Sequence, residues 1–120
     1  MEHRLSERIA ADYKALIYKL GLPVIVGRTR DISKNGVYVQ CPIDGLSLHQ
    51  VLEVELHTSD SASSRASRFT CYLARADEGG LALAIKEECQ QRYASRAEAL
   101  ISKSAAQRFV SEINTVQSQR

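Results

Sequence analysis

Residues 52 to 57 read Leu-Glu-Val-Glu-Leu-His, so that Leu52, Val54 and Leu56 alternate strictly with Glu53, Glu55 and His57. Side chains of a strand point alternately to its two faces, and this period of two specifies one buried and one wet face. Other strand-like segments surround it. Residues 24 to 40 begin Val-Ile-Val and end Val-Tyr-Val around a turn at Asp31 to Gly36, a hairpin of β-branched and aromatic residues. Beyond a Ser-rich stretch from Thr58 to Ser67, Phe69 to Ala74 and Leu81 to Ile85 form two more candidates, joined through Asp77-Glu78-Gly79-Gly80. Parallel strands need long crossovers, and no helical segment separates these runs, which leaves an antiparallel barrel or sandwich. A barrel is the expectation, because closure also removes exposed sheet edges.

From Glu88 onward the period changes. Cys89, Tyr93, Ala97, Leu100 and Ile101 recur at steps of three and four in a run rich in Ala, Glu, Arg and Gln, which predicts an amphipathic helix. A second helical stretch is expected around Ala106 to Ile113, with a frayed Gln- and Ser-rich ending. The first twenty residues are ambiguous: Leu5, Ile9, Tyr13, Leu16, Ile17 and Leu20 are at helical spacing and stop before Gly21 and Pro23, so periodicity alone specifies a helix there.

A chain of 120 residues fits one domain with a modest core and leaves no room for a separate catalytic domain. With 44% hydrophobic and 25% charged residues it has the composition of an ordinary globular protein. Residues 1 to 30 carry six Lys or Arg against three acids, and residues 31 to 60 carry one against five. A mildly basic beginning beside a less basic body suits one small anion better than a long polyanion, which excludes nucleic acid as the expected partner. Cys41, Cys71 and Cys89 are odd in number and widely spaced, which indicates neither a disulfide framework nor a zinc site. The opening Met-Glu-His-Arg-Leu-Ser-Glu-Arg is charged where a signal peptide needs an apolar run, and no segment approaches the ~20 apolar residues of a membrane span. A cytoplasmic protein without membrane insertion is expected.

Two short motifs carry the functional information: Arg4 and Arg8, four residues apart, and Asp31-Ile32-Ser33-Lys34-Asn35-Gly36 between two strands. Their order and spacing resemble the signature of the PilZ domain, over roughly residues 4 to 86. The resemblance implies a mainly β fold: a six-stranded antiparallel barrel over residues 12 to 87, a flexible ligand-binding arm over 1 to 11, and a helical extension over 88 to 120, all in one domain. It therefore makes Arg4 to Ala11 an arm and Tyr13 to Lys19 the first barrel strand, against the helical periodicity. It implies binding of cyclic di-GMP by Arg4, Arg8, Asp31, Ser33 and Gly36, with His3, Lys34 and Asn35 as secondary contacts.

These residue types suit that ligand. Arginine offers a permanently charged fork to phosphate or to the O6 and N7 acceptors of guanine. A carboxylate beside a dianion is favourable only against donors, and the N1–H and N2–H2 edge of guanine supplies two, so Asp31 would select guanine over adenine. Ser33 adds a hydroxyl, and Gly36 is expected to permit positive φ and close approach of backbone N–H groups. His3 stands where the family often shows another basic residue that bears on ligand stoichiometry, and Ala82 replaces a glycine common in the last strand. Arg28, Arg30 and Arg75 are on the expected strands, where they either border the site or, the preferred reading, form a solvated strand face, and His49 and His57 read as structural or surface groups. No nucleophile, phosphate loop or metal-ligand pattern is present, so an enzyme, a metal and a redox cofactor are not expected. The expected partners are cyclic di-GMP and a downstream protein, with self-association through the C-terminal helix as a further expectation. The rival expectation is a ligand-independent adaptor acting through that helix.

Overall fold

The structure, a computed structural model, describes residues 7–42, 45–58 and 67–118, with side chains as far as Lys103. Its strands are β1 (Ile9–Ala10), β2 (Lys14–Lys19), β3 (Leu22–Ile32), β4 (Gly36–Gln40), β5 (Val51–His57), β6 (Arg68–Asp77) and β7 (Gly80–Ile85), followed by one helix, α1 (Glu87–Ser118). All seven strands join one antiparallel sheet in the order β1-β3-β2-β5-β6-β7-β4, and β4 also pairs with β3. Each of the six longer strands thus has two longer neighbours.

Alternation in the sequence becomes burial in the structure. Leu52, Val54 and Leu56 of β5 are buried, as are Phe69, Cys71 and Leu73 of β6 and Leu81, Leu83 and Ile85 of β7. Ala15 and Ile17 of β2, Ile32 of β3 and Val37 and Val39 of β4 close the same core. Each fully buried Leu, Ile or Val contributes about 1.5–3 kcal/mol relative to exposure. Burial also raises the Cys71 thiol to about 12, which keeps it neutral and inert.

Helix α1 supplies the remaining core side chains from one stripe: Cys89, Tyr93, Ala97 and Leu100, with Ile101 partly buried beside them. Glu87 and Glu88 in its first turn complement the helix dipole. The fully buried Tyr93 meets Phe69 edge to face at 5.2 Å and donates its hydroxyl to the Gly36 carbonyl at 2.8 Å. Tyr13 donates in turn to the Leu100 carbonyl at 2.7 Å, and Arg96 to the Leu56 carbonyl at 3.2 Å. The helix is therefore tied to Tyr13 just before β2, to β4 and to β5, as well as packed on the core.

The strand expected from Tyr13 to Lys19 is present as Lys14–Lys19: the helical spacing before Gly21 is overridden because both edges of this segment are paired, with β3 and with β5, while Ala15 and Ile17 turn inward. Two expectations change. The expected arm contains a short strand, since Ile9 and Ala10 pair with Ile32 and Asp31. The helix starts at Glu87 and runs unbroken to Ser118, where two stretches were expected. Among the described residues no helix is long and apolar enough to cross a membrane.

Candidate functional site

Asp31 lies near the end of β3, opposite Ala10 of β1 on one side and Tyr38 of β4 on the other. Its carboxylate is held between two guanidinium groups: Arg8 Nη1 is 2.5 Å from Oδ1, and Arg30 Nε is 2.8 Å from Oδ2. Arg30 and Asp31 are chain neighbours, and in a regular strand their side chains would leave opposite faces. The β3–β4 register shifts between Thr29 and Asp31, so Arg30 is the extra residue of a bulge. That bulge turns it back beside Asp31 and over the Tyr38 ring, 3.8 Å from the centroid.

A second carboxylate continues the cluster. The Tyr38 hydroxyl donates to Asp77 Oδ1, which also accepts from the backbone N–H groups of Gly79 at 3.0 Å and Gly80 at 3.2 Å. Arg75 Nε is 4.0 Å from the other Asp77 oxygen. The Tyr38 hydrogen bond, with the two amides, holds the Asp77 carboxyl below the usual range. Burial and the same carboxylate push the Tyr38 hydroxyl up, so a neutral Tyr38 links the Arg30 guanidinium to the Asp77 carboxylate, with Arg75 on its far side, across β3, β4 and β6. Alongside runs an open groove of about 610 Å³ lined by Ala10, Ala11, Asp12, Arg28, Arg30 and Gln40, among others. There Arg28 Nε pairs with Asp12 Oδ1 at 2.6 Å.

The expected site residues divide. Arg8 and Asp31 are brought together, while Arg4 and His3 lie outside the described residues. Ser33 is turned inward, 3% exposed: its hydroxyl accepts from the Asn35 N–H and contacts the Gly36 carbonyl, both at 3.4 Å. Gly36 does not have the expected positive φ. A Cβ there would sit 2.6 Å from the Leu83 carbonyl oxygen, so the glycine permits β4 to lie close against β7. Both residues hold the turn. Lys34 and Asn35 are exposed at the turn, and the Asn35 carbonyl accepts from Ile85 N–H at 2.8 Å.

Sequence reasoning missed Tyr38 and Asp77 as members of the cluster, and it placed Arg30 and Arg75 at the border of the site while preferring a solvated strand face for each. Only the adjacency of Arg30 to Asp31 signalled any of this, and the bulge that makes the adjacency matter depends on β4. A second polar cluster surrounds Glu55 of β5. Burial opposes ionisation of its carboxyl, but hydrogen bonds from Arg68, His57 and Tyr18 prevail and hold it below the usual range. Among the described residues no group of three or more His, Cys, Asp or Glu converges on one point.

Comparison with known proteins finds no matching family model and no matching curated protein. The fold is similar to that in the crystal structure of Legionella uncharacterized protein Lpg0364, with a TM-score of 0.54 and 15% sequence identity, covering 81% of this chain and 96% of that one. At that identity the likeness establishes a shared mainly antiparallel β architecture with a C-terminal helix, and nothing of the site.

Proposed function

We propose that the chain is a cytoplasmic receptor of the PilZ type, which binds cyclic di-GMP and thereby changes its contact with a downstream protein. The carrying observation is the Asp31 carboxylate clamped between Arg8 and Arg30 at the edge of an open groove. The ring of pairings through β2 to β7 supports reading the sheet as a six-stranded barrel of that family, with β1 laid against β3 as an addition.

Guanine would exchange its N1–H and N2–H2 donors for the two guanidinium groups on Asp31. Arg8 and Arg30 would then be released toward phosphate oxygens or the O6 and N7 edge, where their planar forks fit. Residues 1 to 8 would be drawn onto the groove with Arg4 as a further clamp, and the altered surface would bias partner affinity reciprocally with ligand affinity. No catalytic step is part of this reading. Titration calorimetry of the folded chain with cyclic di-GMP tests it: saturable heat with micromolar or tighter affinity is expected, and no heat from folded protein overturns it.

A second reading is an adaptor acting through α1 without ligand. It is favoured by one observation: α1 has 32 residues and, among those whose side chains are described, the ones that pack on the core lie between Cys89 and Ile101. Size-exclusion chromatography of the chain ended after Lys103, beside the full chain, decides whether the distal helix mediates association. A larger apparent mass for the full chain alone supports this use.

A further inference from the structure

Arg28, Lys14 and His57 lie in one row across three adjacent strands: Lys14 pairs with Arg28 on one side and with His57 on the other. Directly paired residues of antiparallel strands leave the sheet on the same face, and like charges placed so repel. Two members of the row have local compensation. Arg28 is paired with the Asp12 carboxylate at 2.6 Å, and His57 Nε2 is 2.9 Å from Glu55 Oε1. The central Lys14 has no ion-pair partner among the described residues.

The row opens onto a cavity of about 210 Å³ lined by Asp12, Lys14, Arg28, His57, Thr58 and Lys103, with Tyr13 at its wall. Helix α1 contributes Lys103, so among the described residues four basic side chains from four elements line the cavity with one carboxylate, Asp12, which Arg28 engages. Thr58 adds a hydroxyl donor. The Tyr13 hydroxyl is turned away, to the Leu100 carbonyl. The cavity is too small for a dinucleotide and of a size for a tetrahedral oxyanion with a short substituent.

We propose that this cavity is a second ligand site, taking a small phosphate or phosphate monoester whose oxygens are held by Lys14, Lys103, Arg28 and the Thr58 hydroxyl. An oxyanion in this place converts the repulsion across the row into attraction and links strands β2, β3 and β5 to the helix. The cavity shares Asp12 and Arg28 with the groove beside the Asp31 cluster but is lined by none of Arg8, Arg30 and Asp31, and the assignment stands whether or not that cluster binds a nucleotide.

Amide proton and nitrogen spectra of the full chain, titrated with inorganic phosphate in exchange for chloride at constant ionic strength, test the assignment. Saturable shifts confined to the amides around Lys14, Arg28, His57 and Thr58 are expected, and Lys14→Gln weakens the midpoint about tenfold, the loss of one charge-assisted hydrogen bond. Arg8→Ala leaves the phosphate midpoint unchanged. Shifts that never saturate, or that persist undiminished in folded Lys14→Gln, overturn the proposal. Sedimentation with vesicles containing phosphatidic acid, against phosphatidylcholine alone, assigns the phosphate to a lipid headgroup if the protein pellets and to a free metabolite if it does not.

Discussion

At Gly36 a single methyl group would meet the Leu83 carbonyl oxygen at 2.6 Å, a backbone atom that cannot swing aside. Gly36→Ala is therefore expected to lower stability by about 1–3 kcal/mol, as overpacking does, read as a fall in the urea midpoint. A ligand contact at Gly36 would instead lower affinity at unchanged stability. Tyr93→Phe removes the hydroxyl donated to the same Gly36 carbonyl and is expected to cost about 1 kcal/mol in the same measurement. At the cluster, Arg8→Ala is expected to weaken cyclic di-GMP binding by about 1.5–3 kcal/mol, since a charge-assisted contact is lost. Calorimetry checks it, and parent-like affinity removes Arg8 from the site. Asp31→Ala is expected to blur discrimination between guanine and adenine cyclic dinucleotides. Arg8 and Asp31 were legible in the sequence as a pair because motif order and spacing carried them. The inward turn of Ser33 was not, because which face of a turn is buried depends on the strand that Gly36 lets approach.

Strand β3 has breaks on both of its edges. Its pairing with β2 shifts near Tyr18, its pairing with β4 shifts at Arg30, and the second break is what aims the site. Along Leu22 to Val26 no described strand pairs with the second edge, and there Leu22, Val24 and Val26 are exposed. Pro23 has no N–H to donate, which blunts that edge against pairing with another chain. The β2–β3 turn has Leu20 at φ 53° and Gly21 at φ 81°, both positive, as a two-residue hairpin turn requires. Leucine is a poor occupant of that conformation and is 92% exposed here. Leu20→Asn is expected to raise stability by about 0.5–1 kcal/mol in thermal unfolding. Strand β5 was legible because its apolar residues alternate with polar ones, and β6 and β7, the latter buried on both faces, because two apolar runs flank the turn residues Asp77 to Gly80. Strand β2 was not: its apolar residues fit a helical stripe equally well, and pairing on both edges decided the matter.

For the molecule as a whole, the two carboxylates held below the usual range, Glu55 and Asp77, set the response to acid. Their folded values lie under their unfolded ones, so the stability they confer is complete above the ordinary carboxylate range and is lost as pH falls through the lowered folded values. The urea midpoint is expected to hold between neutrality and about pH 5 and to decline below about pH 4. Glu55→Gln is expected to flatten part of that decline; an unchanged slope would remove Glu55 as a contributor. The chain contains no tryptophan and five tyrosines, and two of them combine a guanidinium stacked on the ring with a carboxylate at the hydroxyl: Tyr38 with Arg30 and Asp77, and Tyr18 with Arg68 and Glu55. In a Tyr18→Phe background the near-ultraviolet signature of Tyr38 is thereby an optical gauge native to the protein: whenever Arg30 leaves the ring, the molecule reports the departure without a label.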